Sequence, residues 1–540
     1  MPFVPTGRKA NMAETAADFI VHHTAVAEPL FKARAEAYWR ANTTGRAEDQ
    51  EEEARLKAEI MRLYADPEAL ARLKVWREAG DHRRDPLLAR QVDLLYRRFL
   101  AGQRDKEVIE ALTALEKAVQ SRYVNHRPQV RGRVLSDNDI LEILRQEKDE
   151  ALRREAWEAS KEVGAQVAEQ VRELVRLRNA SARRLGFRDH YALALFVSEI
   201  DEAWLLALLE ELALRTEAPF RQIKATLDAA LAERFHCTPD DLRPWHYADP
   251  FFQHPPDGEG PDLDPIFAQA SLEELARRTY RGLGLDVEAI LARSDLYERP
   301  GKNQHAFCLD VDRRGDVRVL CNLRPTERWM STLLHELGHA VYDAYISREL
   351  PWLLRRPAHM LTTEAIAMLM GRLTQDPRWL REIAGVPTEQ AEALAPRLHD
   401  RLRRKLLIFL RWALVMVHFE RAFYADPDRP DLNELWWDLK ARYQLLTPPE
   451  GRDQPDWAAK YHIAMAPVYY HNYVLGEVLA SQLRDTVERS FGHLVNRPHA
   501  GEFLREAIFA PGSRWNWQET VQRATGRPLD LSPLLGFVGS

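Results

Sequence analysis

The sequence predicts a mostly α-helical fold. Apolar residues recur at helical spacing through residues 13–45, at Phe19, Val26, Leu30 and Trp39. Residues 48–120 continue with charged segments rich in Glu, Arg, Leu and Ala, which favour helices. Residues typical of strands are confined to the segment 305–323, so β-structure is expected to contribute little.

The predicted helices continue on both sides of one long loop. Two more are expected within residues 137–185, and the second should run from about Asp149 to Leu185. Residues 236–268 carry seven prolines, which interrupt helices. We therefore expect this segment to be a long loop that crosses the surface.

A β-hairpin is predicted directly before the helix that carries the most informative motif. Residues 305–312 and 316–323 are two extended runs around a turn that contains Gly315. Thr326 is the expected N-cap of a helix that should reach about Ser347. This helix contains the sequence HELGH, which begins at His335.

The composition excludes several classes of protein. The chain has 540 residues with 76 basic and 82 acidic side chains and no basic tract, so nucleic acid is not an expected partner. No run of about 18 apolar residues occurs, so no membrane span is expected. Three cysteines do not make a disulfide framework, and residues 1–19 lack the apolar core of a secretory signal. A cytoplasmic protein is therefore expected.

The HELGH sequence predicts a metal site. His335 and His339 lie four residues apart, so on a helix they share one face and can bind one zinc ion. Glu336 projects beside them, as the general base of a metallopeptidase does. Burying these polar groups among apolar neighbours without a partner costs several kcal/mol, and a metal removes that cost. The alternative is a chance match, for which this composition gives an expectation of about 0.05 occurrences.

Glu364 is the predicted third ligand. It lies 25 residues beyond His339, near the start of the apolar helix TTEAIAMLMGRL. The alternative is an acidic residue that favours a helix N-terminus without binding metal. Three protein ligands leave the fourth zinc position for water, which catalysis requires.

Five segments resemble one family in the same order along the chain. They are AEAYWRANTT (35–44), LVRLRNASARRLGF (174–187), HELGH with Glu364, NELWWDLKARYQLLTPPE (433–450) and AAKYHI (458–463). The sequence is thus similar to the angiotensin-converting-enzyme (peptidyl-dipeptidase) family of gluzincin zinc metallopeptidases, as a bacterial-type cytoplasmic relative. The resemblance covers nearly the whole chain.

The resemblance implies a fold and a division of the chain. It implies a helical ellipsoid whose two halves enclose a deep groove with zinc at the bottom, next to a small β-hairpin. Residues 1–540 would form a single peptidase unit. Residues 12–120 would be an N-terminal helical lid that limits entry to short or unfolded peptides. Residues 121–540 would form the groove halves, with the zinc site within 335–364.

The resemblance also assigns catalytic residues. His462 stands where the family has a histidine that binds substrate and steadies the transition state, and Tyr473 where a tyrosine hydroxyl stabilises the oxyanion. The alternative for residues 469–473 is an aromatic core stripe. Met368 replaces an aspartate of the family, so support for a histidine ligand must come from elsewhere.

Substrate-binding residues follow from the same resemblance. Lys460 and Tyr470 match a pair that holds the C-terminal carboxylate of the substrate, although a lysine alone is commonly a solvated surface charge. His305 and Ala306 match a pair on an edge strand that binds peptide backbone. The carboxylate-binding glutamine of the family has no counterpart around residues 245–247, which puts strict dipeptide release in doubt.

These observations predict a zinc-dependent peptidase that holds one Zn²⁺ per chain and hydrolyses short peptides. A peptidyl-dipeptidase or a carboxypeptidase that acts from the C-terminus is the first expectation, and an oligoendopeptidase is the alternative. A non-catalytic peptide-binding protein on the same fold is less consistent with Glu336, because binding alone needs no general base. The oligomeric state stays open.

Overall fold

The computed structural model describes residues 14–80, 84–255, 261–303 and 305–539. This part of the chain is mostly α-helical with two small antiparallel sheets, which confirms the predicted fold class. Residues 12 and 13, where the predicted lid and first helix begin, lie outside the described residues.

The first helices are α1 (Ala16–Thr44), α2 (Ala47–Tyr64), α3 (Pro67–Ala79), α4 (Pro86–Gly102), α5 (Lys106–Asn125), α6 (Asp137–Gln146), α7 (Glu150–Arg184), α8 (His190–Val197), α9 (Glu202–Arg215), α10 (Glu217–Phe235), α11 (Asp264–Phe267), α12 (Leu272–Gly282) and α13 (Glu288–Arg293). The later helices are α14 (Glu327–Tyr345), α15 (Met360–Gly371), α16 (Pro377–Glu382), α17 (Thr388–Ala425), α18 (Leu432–Gln444), α19 (Tyr461–Met465), α20 (His471–Phe491), α21 (Pro498–Leu504), α22 (Trp517–Thr525) and α23 (Ser532–Gly539). The strands are β1 (Gln129–Val130), β2 (Arg133–Val134), β3 (Phe307–Asp310) and β4 (Val317–Leu320).

Helix boundaries follow the local signals in the sequence. Thr15 and Asp18 form a capping box at the start of α1, and Gly45 ends that helix with φ 67°. Thr326 caps α14 as predicted, because its hydroxyl accepts a hydrogen bond from the Trp329 amide at 3.3 Å. The helix α15 begins at Met360, two residues before the predicted start, because His359 caps it.

Helices α1 to α4 share an apolar core of their own. Buried residues of these helices, including Phe19, Leu73 and Phe99, pack together with Trp352 and Leu353. A larger core extends from Leu112 in α5 to Val538 in α23. The division at residue 120 falls inside α5, and the lid, the single unit and the groove halves stay predictions.

Three helices pack closely enough to bring the predicted ligands together. A Cβ atom at Gly338 of α14 would lie 2.8 Å from Cα of Ala367 in α15, so only glycine permits this approach. A Cβ atom at Gly476 of α20 would lie 3.1 Å from Cβ of Glu364. Glycines on α14 and α20 therefore allow both helices to pack against the segment of α15 that carries Glu364.

The predicted hairpin is present but shorter than expected. Strands β3 and β4 pair antiparallel from Phe307 opposite Leu320 to Asp310 opposite Val317. The pair β1–β2 was not predicted, because two-residue strands leave no alternating pattern to detect. Cys237, Cys308 and Cys321 are free thiols. Within the described part of the chain, no helix is long and apolar enough to cross a membrane.

Apart from two short helical turns and the helix α11 near its end, the proline-rich segment is a loop, but the prediction that it crosses the surface is wrong for its middle part. Trp245, Tyr247 and Phe252 are buried. The Arg153 guanidinium donates hydrogen bonds to the carbonyls of Trp245 and Tyr247, and the Lys161 ammonium donates to the carbonyl of Pro250. Buried cations thus satisfy the loop backbone inside the protein, as buried carbonyls require. Residues 256–260 lie outside the described part.

Candidate metal centre and substrate site

The three predicted metal ligands come together. The side-chain donor atoms of His335, His339 and Glu364 all lie within 4.8 Å of one another. One Glu364 carboxylate oxygen is 3.8 Å from Nε2 of His335 and 3.9 Å from Nε2 of His339. Glu364 is buried in the second turn of α15, so a role at the helix N-terminus does not account for it.

The environment of the triad fits zinc. Burial lowers the pKa of His335 to about 4, so its imidazole is neutral and can bind a metal. Burial lowers the pKa of His339 as well, and raises the pKa of Glu364 to about 7. An enclosed carboxylate beside two neutral imidazoles is stabilised by a divalent cation. This nitrogen and oxygen donor set is one that zinc accepts in catalytic sites.

Residues around the triad orient the ligands. The ring Nδ1 of His339 lies 2.7 Å from the Thr363 hydroxyl, and Tyr469 donates a hydrogen bond to Glu364 at 3.1 Å. The ring of His335 is hydrogen-bonded to the backbone of Ala367. The support that Met368 cannot give is therefore supplied by Thr363 and the α15 backbone. Thr363 was not predicted from the sequence, although its position next to Glu364 was a usable signal.

Glu336 lies beside the triad without belonging to it. Its side chain is buried, and its carboxylate accepts a hydrogen bond from the backbone N–H of Cys308 in β3. Burial, and secondly the charge of Glu364, raise the pKa of Glu336 to about 8. The carboxylate is thus held between the hairpin and the metal ligands, where it can accept and release a proton.

The rings of His462, Tyr470 and Tyr473 form one aromatic cluster, which brings His462 and Tyr473 together. The His462 ring centroid is 6.5 Å from that of Tyr473 and 5.2 Å from that of Tyr470. Burial raises the pKa of Tyr473, and the nearby charges of Glu364 and Glu336 raise it further. Tyr470 also belongs to the hydrophobic core. It is buried, and its hydroxyl accepts a hydrogen bond from Trp412 at 3.1 Å.

Lys460 is buried beside a glutamine that the sequence argument missed. The alternative of a solvated surface lysine is wrong, since Lys460 is only 8% exposed. Its ammonium donates a hydrogen bond to Oε1 of Gln253 at 3.0 Å and lies 5.9 Å from the ring centroid of Tyr470. Gln253 directly follows the buried Phe252 of the proline-rich loop and lies six residues beyond Tyr247, the end of the segment in which the glutamine was expected. Only the tertiary packing of that loop reveals it.

His305 and Ala306 precede the strand rather than form part of it. The strand β3 begins at Phe307, so their predicted place on the strand itself is wrong. His305 is exposed, and its charge contributes, after burial and Lys460, to lowering the pKa of His462 to about 3. The pair therefore lies near the other site residues at the start of the hairpin.

Comparison with known proteins identifies a single family. The chain matches the family model described as angiotensin-converting enzyme over residues 10–242 and 293–538. It is 26% identical over 264 residues to the angiotensin-converting enzyme of Sus scrofa, which covers 45% of this chain and 20% of that protein. It is 23% identical over 426 residues to the angiotensin-converting enzyme-like protein Ace3 of Mus musculus, which covers 72% and 57%.

A third relative is the angiotensin-converting enzyme of Theromyzon tessulatum, 23% identical over 285 residues, or 48% of this chain and 44% of that protein. The chain thus spans 20% to 57% of the length of these relatives. The family model does not match residues 243–292, a segment that contains Gln253 and most of the proline-rich loop.

Proposed function

The chain belongs to the angiotensin-converting enzyme family of zinc metallopeptidases, and on that basis we propose that it is a zinc-dependent peptidase that shortens peptides from their C-terminal end. Release of dipeptides is the favoured mode. The observation that carries the C-terminal mode is the pair of Lys460 and Gln253. We also propose a cytoplasmic location, because free thiols are typical of a reducing compartment.

The Lys460–Gln253 pair is suited to a carboxylate. The buried ammonium has three N–H donors, and within the described residues its hydrogen bond goes to a neutral amide oxygen, that of Gln253. Burial lowers the pKa of Lys460 to about 8, so the charged form is poorly compensated. Every linear peptide with a free C-terminus carries the anion that would compensate it. An endopeptidase that cleaves within long chains needs no such receptor.

Each group of residues in the metal centre would have its own role in peptide-bond hydrolysis. His335, His339 and Glu364 would hold zinc, which supplies Lewis acidity to the scissile carbonyl and to water. Glu336 takes the proton of the attacking water and passes it to the leaving amine. Tyr473 and His462 donate hydrogen bonds to the developing oxyanion. The start of β3, next to His305, aligns the extended peptide.

Amidation of the substrate tests the C-terminal mode. Converting the C-terminal carboxylate of a short peptide to an amide should lower kcat/KM by about 10- to 100-fold, because a charge-assisted hydrogen bond to Lys460 is lost. Lys460→Met should remove this difference between the acid and the amide. Mass spectrometry of the products separates dipeptide release from release of single residues. Equal rates for acid and amide, with internal cleavage, would establish the oligoendopeptidase alternative instead.

Tyr473→Phe tests the oxyanion donor. We expect kcat to fall by about 10²- to 10³-fold with little change in KM, because the hydroxyl acts mainly in the transition state. Tyr470→Phe is the matched control, since the Tyr470 hydroxyl already accepts a hydrogen bond from Trp412. Steady-state kinetics on one peptide gives both values. If Tyr470→Phe lost kcat and Tyr473→Phe did not, the two roles would have to be exchanged.

A further inference from the structure

A cavity opens on the side of the metal centre that faces the proline-rich loop. Its volume is about 240 Å³, far more than the roughly 15 Å³ that one water molecule needs. His335 and Tyr473 line it near the metal ligands, and His254 lines it on the loop side. Its apolar walls come from Met368, Leu402, Leu406 and Phe409. This space is large enough for a substrate side chain.

Among the residues that the structure describes, one cation lining this cavity has no hydrogen-bond or ion-pair partner. The side chain of Lys405 in α17 is exposed to the cavity and makes no hydrogen bond or ion pair with the described residues. Arg372, which also lines the cavity, is already paired with Glu477. The nearby carboxylate of Glu327 accepts a hydrogen bond from Thr374 at 2.7 Å and pairs with Arg401 at 3.3 Å.

Charges of both signs act on Lys405. Burial lowers the pKa of Lys405, the nearby carboxylate of Glu327 opposes this, and Arg372 and Arg401 lower the pKa further. The charge of Lys405 contributes to lowering the pKa of both His335 and His254. Lys405 therefore lies within electrostatic reach of a metal ligand on one side and of the loop on the other.

The cavity borders the metal centre at His335 and the loop of the carboxylate receptor at His254. His254 directly follows Gln253, the partner of Lys460, and the charges of Lys405 and Lys460 both act on His254. A peptide that places its scissile bond at His335 and its C-terminal carboxylate at Lys460 would therefore run close to this cavity. The side chains of its last residues are the groups that can enter it.

We propose that the Lys405 cavity binds an acidic side chain, Asp or Glu, of a substrate residue on the C-terminal side of the scissile bond. The inference rests on the C-terminal mode proposed above. The carboxylate would pair with the free ammonium of Lys405, while the methylene groups pack on the apolar walls. A basic side chain is disfavoured because it would meet Lys405 and Arg372, and the one carboxylate among the described lining residues, Glu477, is already paired with Arg372.

Matched peptides test this preference. Short peptides with Glu, Gln or Lys at either of the last two positions differ only in the group offered to Lys405. At the position that enters the cavity, kcat/KM for Glu should exceed that for Gln by about 10- to 100-fold, with Lys the poorest. The ratio of kcat/KM for the Glu peptide to that for the Gln peptide should fall close to one in Lys405→Met. In Lys405→Glu the order of preference should invert, so that the Lys peptide becomes the best substrate. Lys74→Glu, an equal charge change on the exposed face of α3, should keep the wild-type ratio.

A binding measurement separates this inference from the proposed function. Zinc-loaded Glu336→Gln protein should bind the Glu peptide about 10- to 100-fold more tightly than the Gln peptide in calorimetry, and Lys405→Met in that background should remove the difference. Circular dichroism and zinc content verify that each variant is folded. Equal affinities for Glu and Gln peptides would overturn the acidic preference even if hydrolysis from the C-terminus holds. A ratio that survives Lys405→Met in a folded, zinc-loaded protein would overturn the assignment to Lys405.

Discussion

Replacing Glu336 by Gln is expected to lower kcat/KM for a peptide substrate by about 10⁴-fold or more while one zinc ion per chain stays bound. Glutamine has nearly the same shape, and its side-chain oxygen can still accept the hydrogen bond from the Cys308 amide. The amide cannot take up a proton from water or return it to the leaving amine. Both proton transfers of the reaction are therefore lost together.

Metal content, measured by mass spectrometry, and hydrolysis of a quenched fluorescent peptide report on this variant independently. Glu336→Asp is a useful intermediate, since it keeps the carboxylate but shortens its reach. Turnover close to that of the wild-type chain in Glu336→Gln would exclude Glu336 as the base. A wild-type chain that binds peptides and zinc but hydrolyses nothing would instead support the non-catalytic alternative.

Removing both histidine ligands is the second change with a large expected effect. His335→Ala combined with His339→Ala should abolish zinc binding and bring hydrolysis below detection, because a single carboxylate ligand cannot hold zinc. Thr363→Val should have a graded effect, since it leaves all ligands in place and removes only the hydroxyl beside His339. Loss of such support typically costs about 10- to 100-fold in metal affinity.

Zinc titration followed by thermal unfolding measures these effects without relying on activity. Zinc at about 1,000 times its Kd should stabilise the wild-type fold by about 4 kcal/mol, because it binds only the folded site. The double variant should show no zinc-dependent shift, and Thr363→Val should need about 10- to 100-fold more zinc for the same shift. Undiminished zinc binding by the double variant would mean that the metal lies elsewhere.

The sequence by itself determined the features that depend on neighbours along the chain. The helix of HELGH and its N-cap at Thr326 follow from spacing within one or two turns, and the structure confirms both. His335 and His339 had to share a face for the same reason. Glu364 could also be predicted, because two helical histidines need a third protein ligand and a carboxylate on the next helix can supply it.

Only the tertiary structure decided the features that join distant parts of the chain. Gln253 contacts Lys460 across more than 200 residues of sequence. Lys405 lines the cavity of His335 from α17, a helix that lies further along the chain than His335. The middle part of the proline-rich loop can be buried because the cations of Arg153 and Lys161 satisfy its carbonyls. These contacts leave no periodic pattern, since they depend on where helices cross rather than on local spacing. The predicted metal ligands could therefore be read from the sequence, whereas the groups proposed to select a substrate had to be found in the folded chain.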